Sequence, residues 1–312
     1  MASLGNRPLL LQLIQNMVVG GAQRTGSRLM NLPGITVELA TYDQINRLSA
    51  RNYAGVLLHV WCAVRDSATM NWPPALDLNT ERLLVFNHDW HGELNVKADA
   101  YIVYSRFTAE NVRADGPVLI IPGAIPLHYY RTTTRTERQL PGKVSVGRLS
   151  TMHSGKINID TIHYWPQIAA DTFWVAGDGP ELAKIKKTYQ SDSRFRFPGQ
   201  INPREVPQFL TNIDIFLYDT AWHIESFCYV ILEAMAAGCV VVARDQGAIA
   251  ELISPGVDGF LFHSDEQAID VCNMLIHDPG LRSRVSMQAR QHATLYSLDR
   301  FYETVLSAFG WA

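Results

Sequence analysis

Short apolar runs of three to six residues alternate with longer mixed segments along the whole chain, and this alternation restricts the fold more than any other feature. It is the pattern of a parallel α/β sheet, whose strands need long crossovers between them. The runs fall into two series. The first comprises Leu9 to Ile14, Thr36 to Ala40, Gly55 to Val60, Leu83 to Asn87, Ala100 to Val103 and Val118 to Ile121. The second comprises Lys143 to Val146, Phe173 to Ala176, Phe195 to Phe197, Ile213 to Leu217, Val240 to Ala243 and Phe260 to Phe262. Between them, residues 128–142 (HYYRTTTRTERQLPG) are polar and aperiodic, the composition of an interdomain linker. A chain of 312 residues can hold two domains of ordinary size. The expected organisation is therefore a doubly wound domain over 1–130, a linker over 131–142, a second doubly wound domain over 143–295 and a last helix, roughly Leu298 to Phe309, within 296–312. Ligands of such sheets sit beyond the C-terminal ends of the strands.

Residues 223–238, HIESFCYVILEAMAAG, carry two acids, Glu225 and Glu233, with seven residues between them. Glu225-Ser226 reads as a helix start, where small and acidic residues suit unsatisfied backbone N–H groups. Gly238 reads as the stop. Eight residues of helix would separate the carboxylates by on the order of 12 Å along the axis. A glycosidase acid pair needs roughly 5 to 9.5 Å. The spacing instead fits two ends of one long ligand. Free amides and the dipole at a helix N-terminus hold phosphate. Ser226, Phe227, Cys228 and Tyr229 are thus expected to face phosphates, with one carboxylate at each end. A nucleoside diphosphate sugar has that layout. A buried helix with two incidental glutamates would carry the same pair.

The run ESFCYVILEAMAAG, followed by VVARDQGAIAELI, resembles the retaining GT-B glycosyltransferases. This family 4-like group includes glycogen synthase, sucrose synthase and bacterial phosphatidylinositol mannosyltransferase. Further blocks match in the family's order: GGAQR (20–24), a strand ending at His88, Ser105 with IPGAIP (121–126), and GRL (147–149) with a later lysine. AGDGP (176–180), FPGQ (197–200) and VDGFLF (257–262) complete them. The resemblance spans most of the chain and is densest in its C-terminal half. It implies two Rossmann-like domains facing a cleft, the N-terminal one binding the acceptor and the C-terminal one the nucleotide sugar. The last helix would cross back to the N-terminal domain. The implied reaction is transfer of a hexose from a nucleotide-diphosphate sugar, UDP-hexose favoured over GDP-mannose, with retention of anomeric configuration.

The resemblance also assigns roles. Gly20 and Gly21 would approach the donor diphosphate from the N-terminal side, since glycine permits close backbone contact. Arg148 and Lys156 would stabilise the leaving diphosphate as fixed cations. The chain has no D-x-D, so no metal and no other cofactor is expected. The family usually places this lysine about five residues after the arginine, whereas here the interval is eight. Phe197 and Gly199 would help hold the nucleobase through the main chain. Ser226, Phe227, Cys228 and Tyr229 would give amides to the phosphates, Glu233 would take the ribose hydroxyls and Glu225 would lie near the hexose. Most relatives have glycine where Cys228 stands. Of the two histidines in residues 83–94, His88 and His91, the resemblance favours His88, which would touch the transferred sugar. Trp61, Trp72 and Trp90 could stack on an acceptor sugar, but as large aromatic residues they also fit a core or a wall.

Composition narrows the partners. With 47% hydrophobic and 18% charged residues, the chain reads as a globular enzyme. A net charge of −3 disfavours a nucleic-acid acceptor. The acceptor is left as a small molecule, a lipid or a glycan. Cys62, Cys228, Cys239 and Cys272 show no metal spacing and suit a reducing cytosol. No run is long enough to span a bilayer, and MASLGNRPLLLQLIQ lacks a cleavage site and reads as a first strand rather than a leader. Without a basic amphipathic face, membrane contact would be weak and peripheral. Alternatives on the same fold are a phosphorylase or epimerase, or a degenerate chain serving as a sugar-binding or partner subunit.

Overall fold

The computed structural model describes residues 8–14, 25, 27–44, 48, 51–60, 78–94, 96–131 and 142–311. Gly20, Gly21, Cys62, Trp61, Trp72 and residues 132–141 of the expected linker lie outside the described residues. The chain divides into two units, Met1–Ala124 with Leu298–Ala312, and Ile125–Ser297.

The first unit is built on six parallel strands, β1 (Leu9–Ile14), β2 (Thr36–Thr41), β3 (Gly55–Val60), β4 (Leu83–Asn87), β5 (Ala100–Val103) and β6 (Val118–Ile120), in the spatial order β6-β5-β4-β3-β1-β2. Each central strand is covered on both faces, so its sequence is nearly continuous in apolar residues. All six residues of β3 are buried, and one of them is His59. Gln12 is the corresponding polar residue inside β1, fully buried. A short helix, α1 (Arg106–Asn111), follows β5 and is capped by Ser105, whose Oγ accepts from the Thr108 amide at 3.1 Å. Gly55 lies at the start of β3 because the chain's last helix presses on it. A Cβ there would fall 2.6 Å from the Phe309 ring and 2.8 Å from Trp311.

In the second unit the strands are β7 (Ser145–Leu149), β8 (Thr172–Ala176), β9 (Phe195–Gly199), β10 (Ile215–Tyr218), β11 (Val240–Arg244) and β12 (Gly259–Phe262), ordered β9-β8-β7-β10-β11-β12. Five helices matter here: α2 (Leu182–Tyr189), α3 (Tyr229–Ala237), α4 (Asp265–His277), α5 (Pro279–Ala293) and, in the first unit, α6 (Leu298–Phe309). One face of the sheet carries Val146, Phe173, Val175, Ile215, Leu217, Val240 and Val242 into a core with Trp165, Tyr164 and Cys272. Each such fully buried large side chain contributes about 1.5–3 kcal/mol of burial free energy.

Both series of six strands are present and parallel, as the alternation predicts. Two small pairs of strands, Asn52–Tyr53 with Asn79–Thr80 and Gly92–Leu94 with Val112–Ala114, were not expected; they are too short and polar to leave a pattern. β7 begins at Ser145 rather than Lys143; the Val144 amide ahead of it is held by the Asp171 carboxylate at 2.8 Å, and the Ser145 amide by Asp214 Oδ2 at 2.9 Å. One correction bears on function. The helix expected from Glu225-Ser226 begins only at Tyr229, with Cys228 at its cap and no side-chain cap bond. Glu225 is therefore not on the helix, and the axial separation of about 12 Å inferred from eight helical residues does not apply. Every residue of α3 except Val230 is buried, so packing on all sides, rather than capping, stabilises it. It ends as expected at Gly238, whose φ of 87° suits glycine.

Candidate active site

Chain order reverses between β7 and β10, which are hydrogen-bonded neighbours in the middle of the second sheet. The connection after β7 leaves toward β8 and the one after β10 toward β11, so their first turns part and open a crevice at the strand ends. Arg148 comes from β7, Lys156 from the segment that follows it, and Glu225 from the segment after β10.

Arg148 is fully buried. Its Nη1 donates to the Asp219 carbonyl at 2.7 Å, and Nη2 to the Lys156 carbonyl at 3.1 Å and Ser150 Oγ at 3.2 Å. The guanidinium also lies 5.0 Å from the centre of the Tyr218 ring. Burial lowers its pKa, opposed by Tyr218 and Asp219. The fork expected to grip a diphosphate thus clamps the two loops together. The loop from β7 is seated on AGDGP. Gly177 (φ 132°) and Gly179 (φ 146°) take conformations that suit glycine, and a Cβ on them would fall 1.8 Å from the Ser150 oxygen and 2.5 Å from the Met152 oxygen.

Lys156 Nζ sits 2.9 Å from Glu225 Oε1, which also accepts a hydrogen bond from the Tyr218 hydroxyl at 2.7 Å. His223 Nε2 lies 3.6 Å from Glu225 Oε2. Burial alone would raise the pKa of Glu225, but Lys156 and His223 override it and hold the carboxyl well below the usual range. Lys156 is pulled down by burial and pushed up further by Glu225, for a net rise. The pair is charged at neutral pH. Its geometry rests on backbone bonds: the amides of Ala221, Trp222 and His223 all donate to the Gly155 carbonyl, at 3.0, 3.3 and 3.1 Å. The Glu225 carbonyl accepts from the Ala248 amide at 3.0 Å, and a Cβ on Gly247 would meet that same oxygen at 2.9 Å.

The remaining candidates are spread more widely. Ser226, Phe227 and Cys228 form the approach to α3, with Phe227 and Cys228 buried and Tyr229 starting the helix. Burial raises the Cys228 thiol, with Glu225 adding to the rise. Glu233 lies one turn further along α3 and is 6% exposed. Phe197 and Gly199 are in β9, the edge strand; the Phe197 side chain packs on the core, and the Gly199 carbonyl accepts from the Gly177 amide at 2.8 Å. Arg148, Lys156 and Glu225 are brought together, and Tyr218 and His223 join them. Sequence reasoning passed over both: Tyr218 closes an apolar strand, while His223 stood inside the segment already singled out. Asp219 and Arg244 were also missed. Arg244 Nη2 bonds Asp219 Oδ2 at 2.9 Å and Asp265 Oδ1 at 3.0 Å, and no local pattern announces a partner 25 residues away.

An open cavity of about 470 Å³ lies beside these strand ends, lined by Thr220, Gln246, Arg244 and Asp265 among others, and by none of the residues to which the resemblance assigns a role. Among the described residues no group of three or more His, Cys, Asp or Glu could hold a metal ion, and no helix is long and apolar enough to cross a membrane.

In the first unit, His88 follows β4 and is 8% exposed. Its Nε2 is 2.8 Å from His59 Nδ1 and its Nδ1 is 2.8 Å from the Tyr104 hydroxyl, so both ring nitrogens are engaged within the protein. Burial drives its pKa well below the ordinary histidine value, and His59 adds to the fall. Trp90 stacks on His91 at 3.9 Å and on Phe107 at 5.9 Å.

Residues 144–292 match the family model described as Glycosyl transferases group 1. The chain is 26% identical over 212 residues to the GDP-mannose-dependent alpha-mannosyltransferase of Mycobacterium tuberculosis (strain CDC 1551 / Oshkosh), covering 65% of this chain and 54% of that protein. It is 38% identical over 92 residues to the D-inositol 3-phosphate glycosyltransferase of Actinosynnema mirum, covering 29% and 22%. The chain thus spans little more than half, or less, of the length of these relatives. Among solved structures, a glycosyltransferase from Rickettsia africae ESF-5 superposes with a TM-score of 0.80 at 15% identity, over 97% of this chain and 98% of that one. Anabaena HepE, in complex with UDP and glucose, gives a TM-score of 0.74 at 17% identity, over 98% and 100%. Likeness at these identities speaks for the fold, which is GT-B. Over residues 144–292 the chain carries a glycosyl transferases group 1 domain, and the fold as a whole is GT-B.

Proposed function

We propose that the chain transfers a hexose from a nucleotide-diphosphate sugar to an acceptor, with retention of configuration and without a metal. The observation that carries this reading is the Lys156–Glu225–Tyr218 cluster at the strand-order reversal of a group 1 domain. A half-buried ammonium paired to a buried carboxylate supplies a cation for a leaving diphosphate and an acceptor for hexose hydroxyls at one point. As the glycosidic bond breaks, negative charge grows on the diphosphate, and Lys156 with the start of α3 stabilises it. The leaving phosphate oxygen takes the acceptor's proton, so no protein base is required. Arg148 acts one step back: its charge adds to the field while its fork holds the Lys156 loop.

UDP-hexose is the favoured donor. HepE, with the same fold, binds UDP and glucose, whereas the Mycobacterium tuberculosis relative is named for GDP-mannose. The acceptor is a small molecule, a lipid or a glycan. The described cysteines, Cys228, Cys239 and Cys272, are buried free thiols, which suits a cytoplasmic setting. A thermal-shift panel of UDP, GDP, ADP and dTDP sugars tests the reading. The true donor at 100 times its dissociation constant should stabilise the chain by about 2.7 kcal/mol. A flat panel would favour a partner-subunit role instead.

Turnover is expected to survive EDTA, because fixed cations take the metal's place; loss of activity that Mg²⁺ or Mn²⁺ restores would refute this. The two glutamates should separate kinetically. Glu233→Gln is expected to weaken binding of the bare nucleotide by roughly 1 to 3 kcal/mol, the scale of hydrogen bonds to a charged group. Glu225→Gln should leave that binding nearly intact and lower kcat by about 10²-fold, the scale of a misplaced reacting group. Calorimetry with nucleotide and with sugar nucleotide decides, and an equal loss of nucleotide affinity in both variants would rule out the assignment.

A further inference from the structure

Two buried strands of the first unit are apolar throughout except for one residue each, Gln12 in β1 and His59 in β3, both fully buried. They begin a continuous row of hydrogen bonds. Gln12 Oε1 is 3.1 Å from His59 Nε2, His59 Nδ1 is 2.8 Å from His88 Nε2, His88 Nδ1 is 2.8 Å from the Tyr104 hydroxyl, and that hydroxyl is 2.6 Å from Thr25 Oγ1. The direction of the row follows from its first member. Gln12 Nε2 lies 3.7 Å from the Met30 sulfur, a weak acceptor with no proton to give. The amide nitrogen therefore faces Met30 and the amide oxygen faces His59.

Everything downstream is then determined. The Gln12 oxygen only accepts, so His59 carries its proton on Nε2 and offers a lone pair at Nδ1. His88 must donate from Nε2, which leaves its Nδ1 as an acceptor. Tyr104 gives its single proton to that nitrogen, and its oxygen receives the proton of Thr25. A second proton on His59 would set two N–H groups head-on between the rings, and one on His88 would fall on Nδ1 and meet the Tyr104 proton. Burial works to the same end, lowering His59 to about 3. The rings of His59 and His88 stack within 10° of parallel, and both lie against Phe86 at 5.8 and 5.0 Å, so little room is left to turn. Thr25, at the far end, is the residue immediately after GGAQR.

We propose that Gln12, His59 and Tyr104 are positioning residues for sugar transfer, locking His88 as the neutral Nε2–H tautomer and tying it to Thr25. The positioning role rests on the function proposed above; the lock itself does not. With both nitrogens committed inward, His88 neither abstracts nor supplies a proton during transfer, and its part is to hold a fixed surface. Ring-nitrogen correlation spectra of the ¹⁵N-labelled chain at neutral pH, assigned with His59→Asn and His88→Asn, read the lock directly. Both rings are expected as Nε2–H; an Nδ1–H or charged form of either overturns it. Gln12→Leu removes the acceptor that sets the direction and is expected to give mixed tautomers, and unmixed ones would equally overturn the lock. Tyr104→Phe should lower kcat about 10-fold with little change in donor KM, the mark of lost positioning rather than lost binding. An unchanged kcat in a folded Tyr104→Phe chain refutes the positioning role. A wild-type chain that turns over no nucleotide sugar refutes the proposed function and the positioning role with it, whatever the tautomers.

Discussion

Arg148→Ala is expected to cut turnover by ~10²–10³, the scale of losing one preorganised group that stabilises transition-state charge. The same substitution should lower the melting temperature. The Asp219 and Lys156 carbonyls would lose the buried donor they share, at about 1–3 kcal/mol for each group left unsatisfied. Arg148→Lys separates the two effects. An ammonium keeps the charge but not the planar fork, so it cannot reach all three acceptors at once. Partial recovery of kcat without recovery of the melting temperature would show that charge and clamp are distinct. A folded Arg148→Ala chain with undiminished kcat would remove Arg148 from the site.

The first unit is expected to lose stability steeply as pH falls below about 6.5. His59 is lowered from 6.5 to about 3 in the fold and His88 is lowered well below its ordinary value, so the unfolded chain binds more protons throughout that interval. Stability therefore rises with pH there; it is complete above the unfolded value and lost as pH falls toward the folded one. Two histidines at ~1.4 kcal/mol per unit each make roughly 3 kcal/mol per pH unit. The Glu225 carboxyl is depressed too, but its loss begins only below the ordinary carboxylate value of 4.5. Urea titrations between pH 7 and 5 isolate the histidines, and a midpoint constant over that range would contradict the neutral pair.

Much of this was legible from residues alone. Twelve apolar runs announced twelve parallel strands because a strand buried on both faces must be apolar along its length. Arg148, Lys156 and Glu225 were named through the family resemblance, since a cation on a loop carries no pattern of its own, and the structure brings the three together. The start of α3 was not legible. Glu225 and Ser226 resemble a helix cap, yet the Glu225 carbonyl is claimed by the Ala248 amide and its carboxylate by Lys156, contacts that no local pattern encodes. The interior of the first unit was underread for a simpler cause. Gln12 and His59 each interrupt an apolar run once, and a single polar residue in a buried strand signals that a partner must exist without naming it.

The turn between Arg148 and Lys156 has a consequence for comparing chains of this kind. The amides of Lys156 and Ile157 both bond the His153 carbonyl, at 2.9 Å, so the segment doubles back and returns the Lys156 carbonyl to the Arg148 guanidinium. Three extra residues are absorbed as a fold in the thread, and the ammonium stays where the carboxylate waits. An alignment that counts positions would score this stretch as an insertion that displaces the cation. Measured through space, the loop closes on the same arginine that opens it, so its length is free to drift while its ends are not.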